Sequence, residues 1–430
     1  MSVMLAILAL ALGIFSIPAS ASPVANQCEE RLCQADLLAP VAQKLNENRP
    51  IHIMMIGDSL TAGDALSHGW REAFDSLYGS FGRGVVDGAR PYAGYLTWGM
   101  NSTASPGWLV NGIFGKAWQS AGGLPVGLSG YTKSANAAGE WMTLTAEDPR
   151  YSFDRFVLCG QTEPIAGSLQ VAIGNETHVF ALQSDTAGAQ CMETRALQTA
   201  GSVTIQTLED KPVTINSIGT FRVAGAGVTI SNLGVPGSQL VHANRKDAAT
   251  VSAELNAYRP DMVVIAFGTN EGFNSGLDIK AYEANLRNYI QFMRSQLPST
   301  VPLMLIGPPN ALTRNKAIAQ AGQIAPFVCE TGLMVPGNIQ HVNAVQRLVA
   351  EEMGLVFWDW SMAMGTQCAM YEWRAAGLAA QDAIHFKKAG GKRIGEILTA
   401  DLRDAFRKIG EGGQAQTGLP ANDTGVQIIR

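Results

Sequence analysis

Four short runs of the chain are apolar at nearly every position: IHIMMIG (51–57), MVVIAFG (262–268), PLMLIGP (302–308) and GLVFWDW (354–360). A run without polar alternation fits a parallel strand covered on both faces. VTISNLG (228–234) adds a strand that leads into the turn Val235-Pro236-Gly237. Between the later runs the period changes. Tyr282, Leu286, Tyr289, Ile290 and Met293 fall at helical spacing, as do Val342, Val345, Leu348, Val349 and Met353. A helix is expected over about 67–78, and a last one carries Ile394, Ile397, Leu398, Leu402 and Phe406. Strands alternating with helices build βαβ units, a parallel sheet with helices on both faces. The expected class is α/β.

Residues 101–225 break that rhythm and offer no convincing helix. They contain short alternating runs instead: WMTLT (141–145), LQVAI (169–173), HVFAL (178–182), SVTIQTL (202–208) and PVTINSI (212–218). Turn signals such as Gly174-Asn175 and Glu209-Asp210 separate them, as in a small antiparallel β-sandwich. The expected organisation is an α/β domain in two parts, 45–100 and 226–410, with the β-sandwich (101–225) inserted between them. The Gly-rich polar tail, 411–430, is expected to be flexible.

The first residues carry a different signal. Val3 to Ile17 is apolar and uncharged, and Ala19-Ser20-Ala21 follows as an A-x-A cleavage pattern. The run falls short of the roughly 20 residues that span a bilayer, so residues 1–21 are read as a secretory signal peptide, with an uncleaved anchor as the competing reading. No Lys or Arg precedes the run, which departs from the usual pattern. No other segment is apolar enough to cross a membrane, so no stable span is expected after cleavage. Export to the periplasm or the medium changes how the cysteines are read. Cys28, Cys33, Cys159, Cys191, Cys329 and Cys368 are even in number, which suits an oxidising compartment. Their order suggests the bridges Cys28–Cys33, Cys159–Cys191 and Cys329–Cys368. There is no C-x-x-C or paired His spacing for a zinc site. No G-x-G-x-x-G follows a strand, since Gly82 and Gly84 lack a third partner, so neither metal nor cofactor is expected. A net charge of −5 with scattered basic residues excludes a basic patch, and nucleic acid with it. Only 16% of the residues are charged, against about 25% in an ordinary globular chain.

Candidate chemistry sits at strand ends, where open α/β sheets bind ligands. Ser59, in Gly57-Asp58-Ser59-Leu60, follows the first strand. A serine hydroxyl needs a base to take its proton, and the base needs an orienting carboxylate. Asp382-Ala383-Ile384-His385 supplies both within one turn. The other histidines, His52, His68, His178, His242 and His341, read as structural or exposed. An ester hydrolase must also stabilise an oxyanion with fixed donors. Asn270 follows the strand MVVIAFG and can offer its side-chain amide. Gly234 ends VTISNLG and, without a Cβ, lets its N–H approach a substrate. The Ser59 N–H would be the third donor.

Taken together, these elements resemble the GDSL, or SGNH, hydrolase superfamily, with Ser59, Gly234, Asn270 and His385 at its four marker positions and Asp382 completing a triad. The resemblance implies a flavodoxin-like three-layer α/β/α domain and metal-free ester hydrolysis. The segments IGDSLTAGD, SNLGVPGS and AFGTNEGFN, together with an insert between the Ser and Gly blocks, are similar to the bacterial peptidoglycan O-acetylesterases. In those a carbohydrate-binding-module-like, jelly-roll-like β-sandwich is inserted at this point. The implied substrate and partner is an acetylated polysaccharide, peptidoglycan first. An O-acetyltransferase, or an esterase of another acetylated polysaccharide, would use the same residues. A non-catalytic glycan-binding protein is the reading from another class. Trp98, Trp108, Trp118 and Trp141 are read first as core, with a sugar-stacking platform as the alternative.

Overall fold

All five apolar runs become parallel strands of one sheet: Ile51–Gly57, Val228–Gly234, Met262–Ala266, Leu303–Ile306 and Val356–Trp358. The structure is a computed structural model that describes residues 28–119, 123–329 and 332–417. The expected signal peptide and residues 418–430 lie outside the described residues. Numbered along the chain, the five strands stand in the order 2-1-3-4-5, the doubly wound order of flavodoxin-like sheets. Every residue of Ile51–Gly57 is buried, because the strand is covered twice. Ile51, Ile53 and Met55 join a core with Trp70, Phe74 and Leu398. Met54 and Ile56 join a second core with Tyr282, Leu286 and Val342. Helices Ala65–Tyr78 and Lys388–Thr417 supply the first layer. Helices Ala248–Tyr258, Ile279–Gln296 and Gly337–Met353 supply the second. The last helix runs past the 410/411 boundary expected for the tail.

The far edge of the sheet is closed by a short antiparallel hairpin, Cys28–Glu29 with Leu32–Cys33, which pairs with Val356–Trp358. The Cys28–Cys33 disulfide staples it. Covering an edge in this way blocks pairing with other chains.

The middle of the chain forms two antiparallel sheets. One has the order Glu176–Ala181, Ser168–Ile173, Ser202–Thr207, Trp141–Ala146, Met100–Ala104. The other has the order Gly188–Ala200, Phe153–Thr162, Val213–Phe221, Tyr131–Ala135, Leu109–Gly112. Between them lie Met142, Leu144, Phe156, Leu158, Val171, Ile205 and Ile215. The strand Gly84–Val86 precedes the expected boundary at 100/101, yet it pairs with Val213–Phe221. Among the described residues, 101–225 also hold the short helix Gly115–Gln119 and the 3-10 turn Pro149–Tyr151.

Ser168–Ile173 and Ser202–Thr207 alternate strictly in burial, as strands with one wet face do. Val213–Phe221 is buried throughout, because its outer face lies on the helix Ala248–Tyr258. There the buried Glu254 carboxylate accepts from the Ser217 hydroxyl and, at 2.5 Å, from the Leu128 amide. Val157, Cys159 and Phe221 belong to the same core as Tyr258 and Ile56. The strand-rich part and the α/β part thus share apolar core and buried polar contacts. Cys159–Cys191 links two directly paired residues of neighbouring strands, and Cys329–Cys368 ties a loop to the helix Ala369–Ala375.

Candidate active site

Three strands end at one level, since Gly57 pairs with Gly234 on one side and with Ala266 on the other. The chain turns sharply after each. At Gly57 an added Cβ would lie 2.2 Å from Thr61 Oγ1 and 2.4 Å from the Ala266 carbonyl, so the turn accepts only glycine. Asp58 then starts the helical turn Ser59–Ala62, its Oδ1 accepting from the Leu60 amide at 2.9 Å. Ser59 is therefore held at the first position of that turn, half-buried at the carboxyl end of the sheet.

His385 and Asp382 come from the loop before the last helix. His385 Nε2 lies 2.9 Å from Ser59 Oγ, and Nδ1 lies 2.7 Å from Asp382 Oδ2. The second Asp382 oxygen accepts from the amides of Ile384 and His385, at 2.9 and 3.0 Å. Ala383 makes this tight loop possible with φ +58°. The neighbouring Phe386 is stacked on Trp360 at 5.1 Å and meets Trp373 edge-on at 5.7 Å, which anchors the loop. Burial works against the Asp382 charge, but the hydrogen bonds from His385 and the two amides outweigh it and hold the carboxyl below its ordinary range. The side chains of His385 and Asp382 remain 43% and 45% exposed, so the group opens onto the surface. A base between a hydroxyl and a carboxylate can move a proton from oxygen to nitrogen and back.

Gly234 faces the Ser59 turn so closely that a Cβ there would sit 2.1 Å from the Ala62 nitrogen. Asn270 lies in the turn Thr269–Gly272 and is half-buried. Its Nδ2 donates to the Ser238 carbonyl at 3.0 Å. An amide nitrogen carries two hydrogens, so one N–H is left for another acceptor. Asp58 and Glu271, next in sequence to Ser59 and Asn270, are 1% and 2% exposed. Burial pushes Asp58 up to about 7 against the pull of the Leu60 amide, with Glu271 adding to the rise. Burial likewise pushes Glu271 up to about 7, against the pull of the Leu240 amide.

Sequence reasoning missed the residues that bring the Ser59 and Gly234 segments together. Asp64, fully buried, accepts from Arg71 at 2.7 and 2.8 Å, from Arg83 at 3.1 Å and from Ser67 at 2.6 Å. Asn232, two residues before Gly234, donates to Asp64 at 2.9 Å and to the Thr61 carbonyl at 2.6 Å. Both lie in segments whose motifs are legible, IGDSLTAGD and SNLGVPGS, but nothing local marks them as partners. His242, read as structural or exposed, accepts the Gln239 amide at its Nδ1, 2.9 Å away.

Of the four candidate tryptophans, Trp108 and Trp141 are neighbours, while Trp118 and Trp98 lie elsewhere. Trp108 is buried, and its indole N–H donates to the Trp141 carbonyl at 3.0 Å. Trp141 is 38% exposed on the five-stranded sheet. Trp118 lies under the Arg245 guanidinium at 4.4 Å. Trp98 meets the His68 ring at 4.9 Å, and Lys388 lies over it at 5.1 Å. Among the described residues, no cluster of three or more His, Cys, Asp or Glu is placed to hold a metal ion, and no helix is long and apolar enough to cross a membrane.

Residues 219–393 match the GDSL-like Lipase/Acylhydrolase family, a span that holds Gly234, Asn270, Asp382 and His385 but not Ser59. Among solved structures, the chain is similar to a peptidoglycan O-acetylesterase at 26% identity and a TM-score of 0.72, over 88% of this chain and 99% of that one. Family two carbohydrate esterases from Cellvibrio japonicus and Clostridium thermocellum align at 12% identity, with TM-scores of 0.25 and 0.26. They cover 72% and 71% of this chain, and 98% and 99% of their own. No curated protein matches the chain. The matched span holds four of the five parallel strands, with the strand ends at Gly234 and Ala266, and the chain is an esterase that is similar to the GDSL-like Lipase/Acylhydrolase family over residues 219–393.

Proposed function

We propose that this protein is an exported O-acetylesterase of cell-wall glycan, with peptidoglycan as its substrate. The observation that carries the proposal is the continuous hydrogen-bonded line from Asp382 through His385 to Ser59. Likeness over nearly the whole length of a peptidoglycan O-acetylesterase supports the substrate class. Three disulfides support an oxidising compartment, periplasmic or extracellular.

With the proton on Nδ1, His385 donates to Asp382 and offers Nε2 to the Ser59 hydroxyl. As Ser59 Oγ bonds to the acetyl carbonyl carbon, its proton passes to Nε2 and the carbonyl oxygen takes up the negative charge. The Ser59 and Gly234 N–H groups and the free N–H of Asn270 receive that charge. Collapse of the intermediate breaks the ester bond, and His385 returns the proton to the departing sugar oxygen. Water, deprotonated by the same imidazole, attacks the acetyl-enzyme and releases acetate. The half-exposed His385 and Asp382 suit a substituent on a polymer, which reaches the site from the surface.

In this reading the strand-rich part, 101–225 by sequence, is a carbohydrate-binding-module-like β-sandwich that engages the polymer. Because it shares core with the α/β part, its binding is tested in the full chain. The decisive measurement is acetate release from O-acetylated peptidoglycan by the wild type and by Ser59→Ala, beside acetylated xylan and a chromogenic acetyl ester. Release by the wild type and none by a folded Ser59→Ala is expected, with Ser59→Ala still sedimenting with insoluble peptidoglycan. Full activity in Ser59→Ala would end the serine mechanism, and faster release from xylan would move the substrate away from peptidoglycan.

A further inference from the structure

Asn270 sits in a single helical turn of four residues, and its side chain has two rotatable bonds. An oxyanion donor contributes only if it is fixed before charge develops. The fixing comes from three consecutive residues of the opposite loop. The Ser238 carbonyl accepts from Asn270 Nδ2 at 3.0 Å, Gln239 Nε2 donates to the Asn270 carbonyl at 3.1 Å, and the Leu240 amide donates to Glu271 Oε1 at 2.6 Å. Both the side chain and the backbone of Asn270 are therefore held, and Glu271, buried beside it, locks the two turns together. The outer side of this clasp rests on the strand-rich part. The His242 ring, which accepts from the Gln239 amide, lies 4.6 Å from Phe114.

We propose that Gln239 and Glu271 are positioning residues for Asn270 and, through it, for the oxyanion hole. The inference rests on the ester-hydrolysis reading above. Neither side chain has to touch the substrate; each acts by holding the amide at a fixed place over the strand ends. Glu271 needs its oxygen as an acceptor and not its charge, so glutamine is a fair replacement. Gln239 needs its N–H donor, so neither leucine nor glutamate replaces it.

The test is a double-mutant cycle on the full chain, with kcat and KM measured on a chromogenic acetyl ester and folding checked by thermal midpoint. Gln239→Leu and Gln239→Glu are each expected to lower kcat about tenfold, the scale of one hydrogen bond, with KM unchanged. Asn270→Ala is expected to lower kcat by about a hundredfold or more. In the Asn270→Ala background, Gln239→Leu is expected to cause no further loss. Glu271→Gln is expected to retain most of the kcat that Glu271→Ala loses. An undiminished tenfold effect of Gln239→Leu in the Asn270→Ala background would overturn the proposal, as would unchanged kcat in both Gln239 variants. Either result leaves the Ser59 reading standing, because that reading falls only with activity in Ser59→Ala.

Discussion

Replacing Asp64 by Asn removes one negative charge from a site that holds two buried guanidinium groups. Arg71 and Arg83 are 2% and 1% exposed, and Asp64 is the carboxylate that both contact. The same carboxylate accepts from Ser67, Asn232 and the Trp98 amide at 2.8 Å. Burial works against its charge, but the two arginines outweigh it and hold the carboxyl well below the ordinary range. Asparagine matches the shape, yet it offers one acceptor oxygen and no charge. Breaking a buried pair by removing one partner costs about 3–5 kcal/mol, a large share of the roughly 5–15 kcal/mol that keeps a domain folded. The expected result for Asp64→Asn is a loss of that size in urea unfolding followed by tryptophan fluorescence. Ester hydrolysis should fall with it, because the Ser59 turn and the strand end at Gly234 lose their shared anchor. Adding Arg83→Met, which removes one unpaired cation, should recover part of the stability. The contribution is lost in acid: a carboxyl with a lowered folded value stabilises above its ordinary value near 4 and ceases to do so as pH falls through the folded one. Wild-type stability should therefore decline more steeply below pH 4 than that of Asp64→Asn. A variant within about 1 kcal/mol of wild type, with both arginines intact, would refute the reasoning.

Two further outcomes follow from the same strand ends. Gly234→Ala places a methyl group 2.1 Å from the Ala62 nitrogen and 2.5 Å from its Cα; the obstacle is backbone, so the Ser59 turn must move. We expect a loss of about 1–3 kcal/mol in thermal or urea unfolding together with loss of ester turnover, and an active Gly234→Ala would contradict the geometry. Asp58 and Glu271, both pushed up to about 7 by burial, favour the folded state only while protonated. Their contribution is complete below about pH 4 and is lost as pH rises through 7. For Glu271 alone the change is about 3 kcal/mol, so Glu271→Gln should flatten the decline in unfolding free energy between about pH 4 and 7. An unaltered slope would show that Glu271 does not titrate in that range.

The sheet was legible in the sequence where burial on both faces left unbroken apolar runs, as at Ile51–Gly57 and Met262–Ala266. Phe153–Thr162 was not, because a strand shared by two cores loses its alternation while keeping the polar residues Asp154, Arg155 and Gln161 that serve its contacts. Gly188–Ala200 was hidden for the opposite reason, as a polar, mostly exposed edge with little apolar signal. The candidate residues Ser59, Gly234, Asn270, Asp382 and His385 could be named because each follows an apolar run or forms a tight local motif. Their supports could not. Arg71 and Arg83 look like any surface arginine until Asp64 is placed between them. Asn232 and Asp64 lie far apart along the chain and meet only once Val228–Gly234 has paired with Ile51–Gly57. Gln239 and Glu271 likewise depend on two loops brought together by the sheet.

The pairing of Gly57 with Gly234 also imposes an order on synthesis and folding. Ile51–Gly57 emerges early, yet its neighbour on one side is Val228–Gly234 and on the other Met262–Ala266. It must wait through the whole strand-rich segment before either partner exists. The thermodynamic penalty for closing so long a loop is small, since each doubling of length adds only about 0.6 kcal/mol. The delay is kinetic, as for other folds built on distant contacts. During that interval an apolar strand with both edges open is exposed, and a chain crossing a membrane unfolded would present it to whatever holds it on the far side. Folding the strand-rich segment draws its two ends together, because Gly84–Val86 and Val213–Phe221 pair with each other. That segment is thus placed to close the gap and to decide when the esterase can first assemble.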